Sequence, residues 1–313
     1  MNVFAHLSLS SRMASAGSVD RNLPQKNIVA HYGLDASADA VDQHAEIVGA
    51  PLFEVIRLMP IGHRQAMNAL LAFCRELHDI VQSERPALLK QGLLSERRCE
   101  IARLFSGQAG ATVTHRLAEP IRRYRLRCDD FLALVEYAEM DARAAMRAPS
   151  AAELDLYCQR GAVSVARLAM RVFGLRSTSA EKAAAELGRA LQLTAILRHL
   201  VKDAERHRLY LPRDLLRKHG IFATIPSAVL AHPALPRVCD ELAATAEAHF
   251  AAADSVLDQC PPYNARAAAL VLRLQRMVLQ ALTARGWQRL AEPVGVFGWQ
   301  EALLIARFGL IGR

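Results

Sequence analysis

Two stretches of this sequence gather carboxylate, imidazole, amide and guanidinium groups at helical spacing. In the first, Arg75, His78, Asp79 and Gln82 fall within two turns of an apolar-periodic run. In the second, Gln192, His199 and Asp203 share a face with Ala195, at offsets of three and four residues. Such side chains ligate ions or hold anions when they converge on an interior. Turned outward, they are ordinary solvated surface. Spacing alone leaves both readings open.

Helices are the elements that must position them. Residues 64–84 place Ala66, Leu70, Phe73, Cys74, Leu77, Ile80 and Val81 on one stripe. The run around Gln192 is helical through its leucines and closes on Tyr210-Leu211-Pro212. Ser179 is the expected N-cap of that helix, and Asp129 that of a helix over 130–147. A helix from Pro149-Ser150 to Phe173, stopped by Gly174, carries Tyr157 with Gly161, Ala162 and Ser164, small residues that leave room beside it. Further helices are expected over 52–59, 87–106, 111–122, 236–258, 262–285 and 298–310, with a short one ending at Gly220. No fixed-period repeat interrupts this pattern, which reads as an α-bundle.

The 313 residues, 52% hydrophobic, suffice for a large core, and strand-like alternation is nearly absent. The expected organisation is a disordered extension over 1–43 and one all-α domain over 44–313. A net charge of +8 and a pI near 9.5 point to an anionic partner. With 6% aromatic residues and no reading motif, nucleic acid is not expected. Six scattered cysteines without a C-x-x-C pair fit a reduced, cytoplasmic protein. No apolar run reaches the roughly 20 residues of a membrane span. Residues 1–19 are Ser-rich and acid-free, a weak likeness to a transit peptide. Arg122, Arg123, Arg125 and Arg127 form a basic cluster that suits water or an anionic membrane face.

Several long segments resemble the squalene/phytoene synthase family. LLAFCRELHDIVQSE is similar to its FCR-x-x-DD-x-x-D helix. LGRALQLTAILRHLVKDAERHRLYLP resembles its second signature, in which an acid follows the Ile-Leu-Arg, an acidic pair comes next, and Gly-Arg-x-Tyr-Leu-Pro closes the motif. FLALVEYAEMDAR, YCQRGAVSVARLAMRVFG, RLMPIGHRQAMNAL and ARAAALVLRLQRMVLQALTARGW resemble further family segments, so the likeness runs from about Pro51 to Trp287. Within the family, the bacterial hopanoid-pathway presqualene diphosphate synthases are the most similar branch. The resemblance implies a class I isoprenoid-synthase bundle with a central cavity and head-to-head condensation of two prenyl diphosphates such as farnesyl diphosphate.

It also implies roles. Tyr157, Gln192 and Tyr210 match catalytic positions, and Arg75, Arg198 and Arg208 match diphosphate-binding ones. Asp141 falls beside the substrate shaft. The metal positions fall on His78, Asp79, Gln82, His199 and Asp203, so most of the family's carboxylates are replaced. Ala195 stands where the family has Asn, and Ala50-Pro51-Leu52-Phe53 where it has a phosphate contact. Mg²⁺ is the family's ion, used to neutralise diphosphate. Two His and two Asp, with His207 four residues further, would instead suit Fe²⁺, Mn²⁺ or Zn²⁺. Loss of one electrostatic partner commonly costs about 10²–10³ in rate. The expectation is therefore a prenyltransferase with a weakened metal site; the alternative is a non-catalytic member that binds an isoprenoid or a partner protein. NADPH is not indicated, peripheral contact with the inner membrane face is compatible, and the oligomeric state is open.

Overall fold

Apolar residues three and four positions apart make each long segment a helix with one face to bury. The computed structural model describes residues 55–108, 113–143 and 146–294. All lie within one compact unit, His44–Arg313. Helix α1 (Ile61–Gln82) buries Ala66, Leu70, Phe73, Leu77 and Ile80, the expected stripe. It is followed by α2 (Ala87–Phe105), a 3₁₀ turn (Val113–Leu117), α3 (Ala118–Tyr124) and α4 (Cys128–Ala142). Next come α5 (Ala151–Cys158), a π-helical turn (Gln159–Val163) and α6 (Ser164–Val172). The long α7 (Thr178–Glu205) precedes the short α8 (Arg213–Lys218) and α9 (Pro226–Leu230), and α10 (Leu235–Leu257) and α11 (Pro262–Arg285) complete the described chain.

The 28 residues of α7 span about 42 Å at 1.5 Å per residue, and it serves as the axis. It packs against α5, the π turn, α6, α9, α10 and α11. Helix α4 touches α1, α2, α6 and the π turn, with Phe131 meeting Phe73 edge-on at 5.7 Å. Gly188 makes the closest backbone approach among the glycines of the described residues. A Cβ there would lie 2.5 Å from the Val163 backbone, so only a glycine lets α7 seat on the π turn.

Several expectations need adjusting. The N-cap of α7 is Ser177, whose Oγ accepts from the Ala180 amide at 3.1 Å; Ser179 lies in the first turn. Asp129 sits in the first turn of α4, and that helix stops at Ala142 with Arg143 as its C-cap, short of the expected end at 147; Arg147 instead forms an isolated bridge with Leu209. The segment expected as one helix over 111–122 divides into the 3₁₀ turn and α3. Ser150 and Glu153 form a reciprocal capping box on α5, but the helix they start passes through the π turn instead of running evenly to Phe173. The expected extension over 1–43, Ala50-Pro51-Leu52-Phe53 and the terminal helix over 298–310 lie outside the described residues. Among those described, there is no β-strand, and one helix, α11, is long and apolar enough to cross a membrane. Half of its most apolar window is buried, as in a core helix.

Candidate functional site

A cavity of about 360 Å³ opens between α1, α4, the π turn, α6, α7 and α11. Its size falls in the range of small-molecule pockets. Leu71, Leu134, Ala138, Val165, Leu191, Val271 and Val278 give it an apolar shaft, and polar side chains collect at the C-terminal end of α7.

Nine of the eleven residues expected at a site line this cavity: His78, Gln82, Tyr157, Gln192, Arg198, His199, Asp203, Arg208 and Tyr210. The other two, Arg75 and Asp79, do not. For Asp79 the reason is helix rotation. Leu71, Cys74, His78, Val81 and Gln82 repeat at steps of three and four along one face of α1, whereas Asp79 is rotated by about 100° and is exposed. Its charge acts on Arg75, one turn back. The carboxylate retained in the first motif is therefore the one that points away.

Along α7 two rows run side by side. One holds Ala195, His199 and Asp203; the other holds Arg198, Lys202 and Arg206, all three exposed and all on the cavity wall. After Glu205 the chain reverses through His207, which takes a left-handed φ of 57°. The Arg208 amide donates to the Asp203 carbonyl at 2.8 Å, and the Leu209 amide to the Met146 carbonyl at 3.2 Å. This turn returns Arg208 and Tyr210 to the cavity while leaving His207 outside its wall, so His207 does not extend the row of Asp203.

Beneath the rim lies a buried tyrosine cluster that sequence reading caught only in part. Tyr210 Oη donates to Asp141 at 2.8 Å, and Tyr157 Oη lies 3.1 Å from both Asp141 carboxylate oxygens and 3.0 Å from Tyr137 Oη. The Tyr157 ring stacks on Tyr210 at 5.2 Å and lies 4.4 Å from Tyr137. Gln192 acts on the Tyr137 hydroxyl and, with Tyr157, opposes the rise that burial causes there. Gly161, in the π turn, makes the space: a Cβ there would come within 2.4 Å of the Tyr137 ring. π-turns of this kind concentrate at functional sites.

Burial sets the protonation of the cluster. It raises Asp141 above the usual carboxylate range, against the opposing pull of Arg208 and the tyrosine hydroxyls. It also raises Tyr137, Tyr157 and Tyr210, all neutral hydroxyls at pH 7. Asp203 is pushed up to about 7, first by burial, with Arg208 opposing and Asp141 adding to the rise. Burial lowers His78, leaving a neutral imidazole, and pushes the Cys74 thiol up to about 12. Burial pulls Arg208 down, but its interactions with Tyr210 and Asp141 prevail and keep it charged.

The donors present do not fit a cluster of divalent ions. Among the described residues, no group of three or more His, Cys, Asp or Glu side chains is placed to hold a metal, so His78, Asp79, His199 and Asp203 do not form one. The cavity's carboxylates are Asp141, already accepting from tyrosines, and Asp203. Tyr137, Gln275 on α11, Lys202 and Arg206 are lining residues that no motif singled out. Sequence reading assigns the last two no role, and the first two required the packing of distant helices.

Comparison with known proteins gives this arrangement a setting. A profile described as Squalene/phytoene synthase matches residues 49–300. A presqualene diphosphate synthase of Rhodopseudomonas palustris is 38% identical over 278 residues, covering 89% of this chain and 99% of that protein. One of Zymomonas mobilis is also 38% identical, over 82% of this chain and 89% of that protein. Among solved structures, a dehydrosqualene synthase in complex with a ligand superposes with a TM-score of 0.71 at 18% identity, covering 90% of this chain and 98% of that one. The squalene synthase HpnC from Alicyclobacillus acidocaldarius superposes with a TM-score of 0.69 at 23% identity, covering 80% and 94%. At these identities the superpositions establish the fold.

Proposed function

Because this chain belongs to the squalene/phytoene synthase family, we propose that its cavity binds prenyl diphosphates and joins two of them head to head, as in a presqualene diphosphate synthase. The carrying observation is the cavity itself: an apolar shaft under a cationic rim, built by the helices that hold both signature segments. The rim suits a diphosphate and the shaft a prenyl tail, with farnesyl diphosphate the proposed substrate.

The residues divide the work by depth. Arg198 and Arg208 sit where the diphosphate leaves, taking the electron pair of the broken C–O bond. The allylic cation left behind faces the Tyr137, Tyr157 and Tyr210 rings, whose faces attract positive charge. Carbon–carbon bond formation with the second prenyl chain keeps that positive charge until a proton is lost. Asp141, tied to Tyr157 and Tyr210, is the carboxylate placed to receive it directly or through a tyrosine hydroxyl. The shaft residues exclude water, which would otherwise capture the cation.

The test is product analysis: incubation with farnesyl diphosphate, in the presence and absence of Mg²⁺ or Mn²⁺, is expected to yield presqualene diphosphate and free diphosphate. A second reading is favoured by the neutral His78 and Gln82 on α1. On that reading the chain binds an isoprenoid without turning it over. Diphosphate release equal to buffer, with prenyl-ligand binding retained, would select it. A cytoplasmic location with peripheral membrane contact through the exposed Arg122, Arg123, Arg125 and Arg127 accompanies either reading. Salt-sensitive binding to anionic vesicles checks that contact.

A further inference from the structure

Charge at the cavity rim has an order that neither helix stability nor metal ligation explains. Arg198 and Lys202 on α7 and Arg206 at its C-cap stand four residues apart, each exposed and each lining the cavity. Like charges at this spacing oppose helix formation by a few tenths of a kcal/mol per pair. Lys202 lies in the last turn and Arg206 at the C-cap, where the helix dipole favours a cation, but Arg198 is too far from the end to benefit. Arg208 enters beneath this ridge on the returning chain. Opposite, α1 contributes His78 and Gln82 and no carboxylate. In all, four cations and two carboxylates line the cavity, and one of those carboxylates, Asp141, is held by Tyr157 and Tyr210.

A divalent cluster needs hard anionic oxygens from the protein, and the described residues offer no group of three donors. A diphosphate needs positive charge and donors, which the ridge supplies directly. We infer that this cavity binds the diphosphate of its prenyl ligand without a divalent metal, its charge met by the Arg198, Lys202 and Arg206 ridge with Arg208 beneath. The inference rests on the reading of the cavity as a prenyl-diphosphate site. It assigns Lys202 and Arg206 to ligand binding, and it makes the class of ligand an alkyl diphosphate in its metal-free form.

Calorimetric titration of the full chain with a farnesyl thiodiphosphate, which resists ionisation, tests it in EDTA and in excess Mg²⁺. The expected Kd in EDTA lies within about threefold of that in Mg²⁺. Lys202→Glu and Arg206→Glu are each expected to weaken binding in EDTA by about tenfold or more. Both side chains are exposed, so the variants should melt like the parent. Lys182→Glu, exposed on the same helix but away from the cavity, makes the same change in net charge and should leave Kd unchanged. Binding that appears only with Mg²⁺ overturns the inference and leaves the prenyl-diphosphate site standing. Equal weakening by Lys182→Glu overturns it too, as a bulk charge effect. No binding in either buffer overturns the underlying reading together with the inference.

Discussion

At the scale of single residues, the surroundings of a few side chains set their charge. Asp203 has an ordinary value of 3.8 and stands near 7 in the fold. The unfolded chain therefore releases this proton first as pH rises. The contribution to stability is complete below about pH 4 and is lost between pH 4 and 7, where the folded state binds the extra proton. Asp203→Asn should remove that slope, leaving the variant more stable than the parent above pH 7 by roughly 1–2 kcal/mol, allowing for solvent access at the rim. Urea titrations at pH 4.5 and pH 8 measure it; equal differences at both would count against a buried, protonated Asp203. Tyr210→Phe removes a 2.8 Å hydrogen bond to Asp141 and keeps the ring stack. Product formation should fall by about tenfold to a hundredfold with substrate affinity little changed, as expected for proton-transfer support. A rise in KM alone would place Tyr210 in binding instead.

At the scale of elements, close approaches and one turn fix the cavity. Gly188→Ala forces a methyl into the Val163 backbone and should destabilise the protein by about 1–3 kcal/mol, read by thermal melting. His207 holds a left-handed φ without the freedom of glycine. His207→Gly should therefore be neutral to stabilising by up to about 1 kcal/mol, with unchanged activity, because the imidazole lies outside the cavity wall. A large loss of stability would mean that the imidazole makes contacts the turn depends on.

The helices were legible in the sequence because their apolar stripes are local, and α1, α4 and α7 formed largely as read. The π turn was not, since a single added residue per turn barely disturbs the apolar period around Gly161. The turn that separates His78 from Asp79 was equally hidden: a motif gives residue order, but only packing decides which side of the helix meets a neighbour.

At the scale of the whole molecule, the helices converge so that charge and apolar surface are separated along one cavity. The motifs in α1 and α7 made the family legible, and nine expected residues do meet there. The family likeness also put Asp141 beside the shaft, whereas Tyr137 and Gln275 could join them only through tertiary packing, since each comes from a helix whose own pattern reads as core or surface. The central claim is that this cavity seats a prenyl diphosphate with its head at the rim and its tail in the shaft. The structure of the chain bound to a farnesyl thiodiphosphate tests it most directly. The account predicts diphosphate oxygens within hydrogen-bonding distance of Arg198 or Arg208, and a tail between Leu134 on α4 and Val271 on α11. A ligand lodged elsewhere, or one reversed with its diphosphate among the tyrosines, would contradict it.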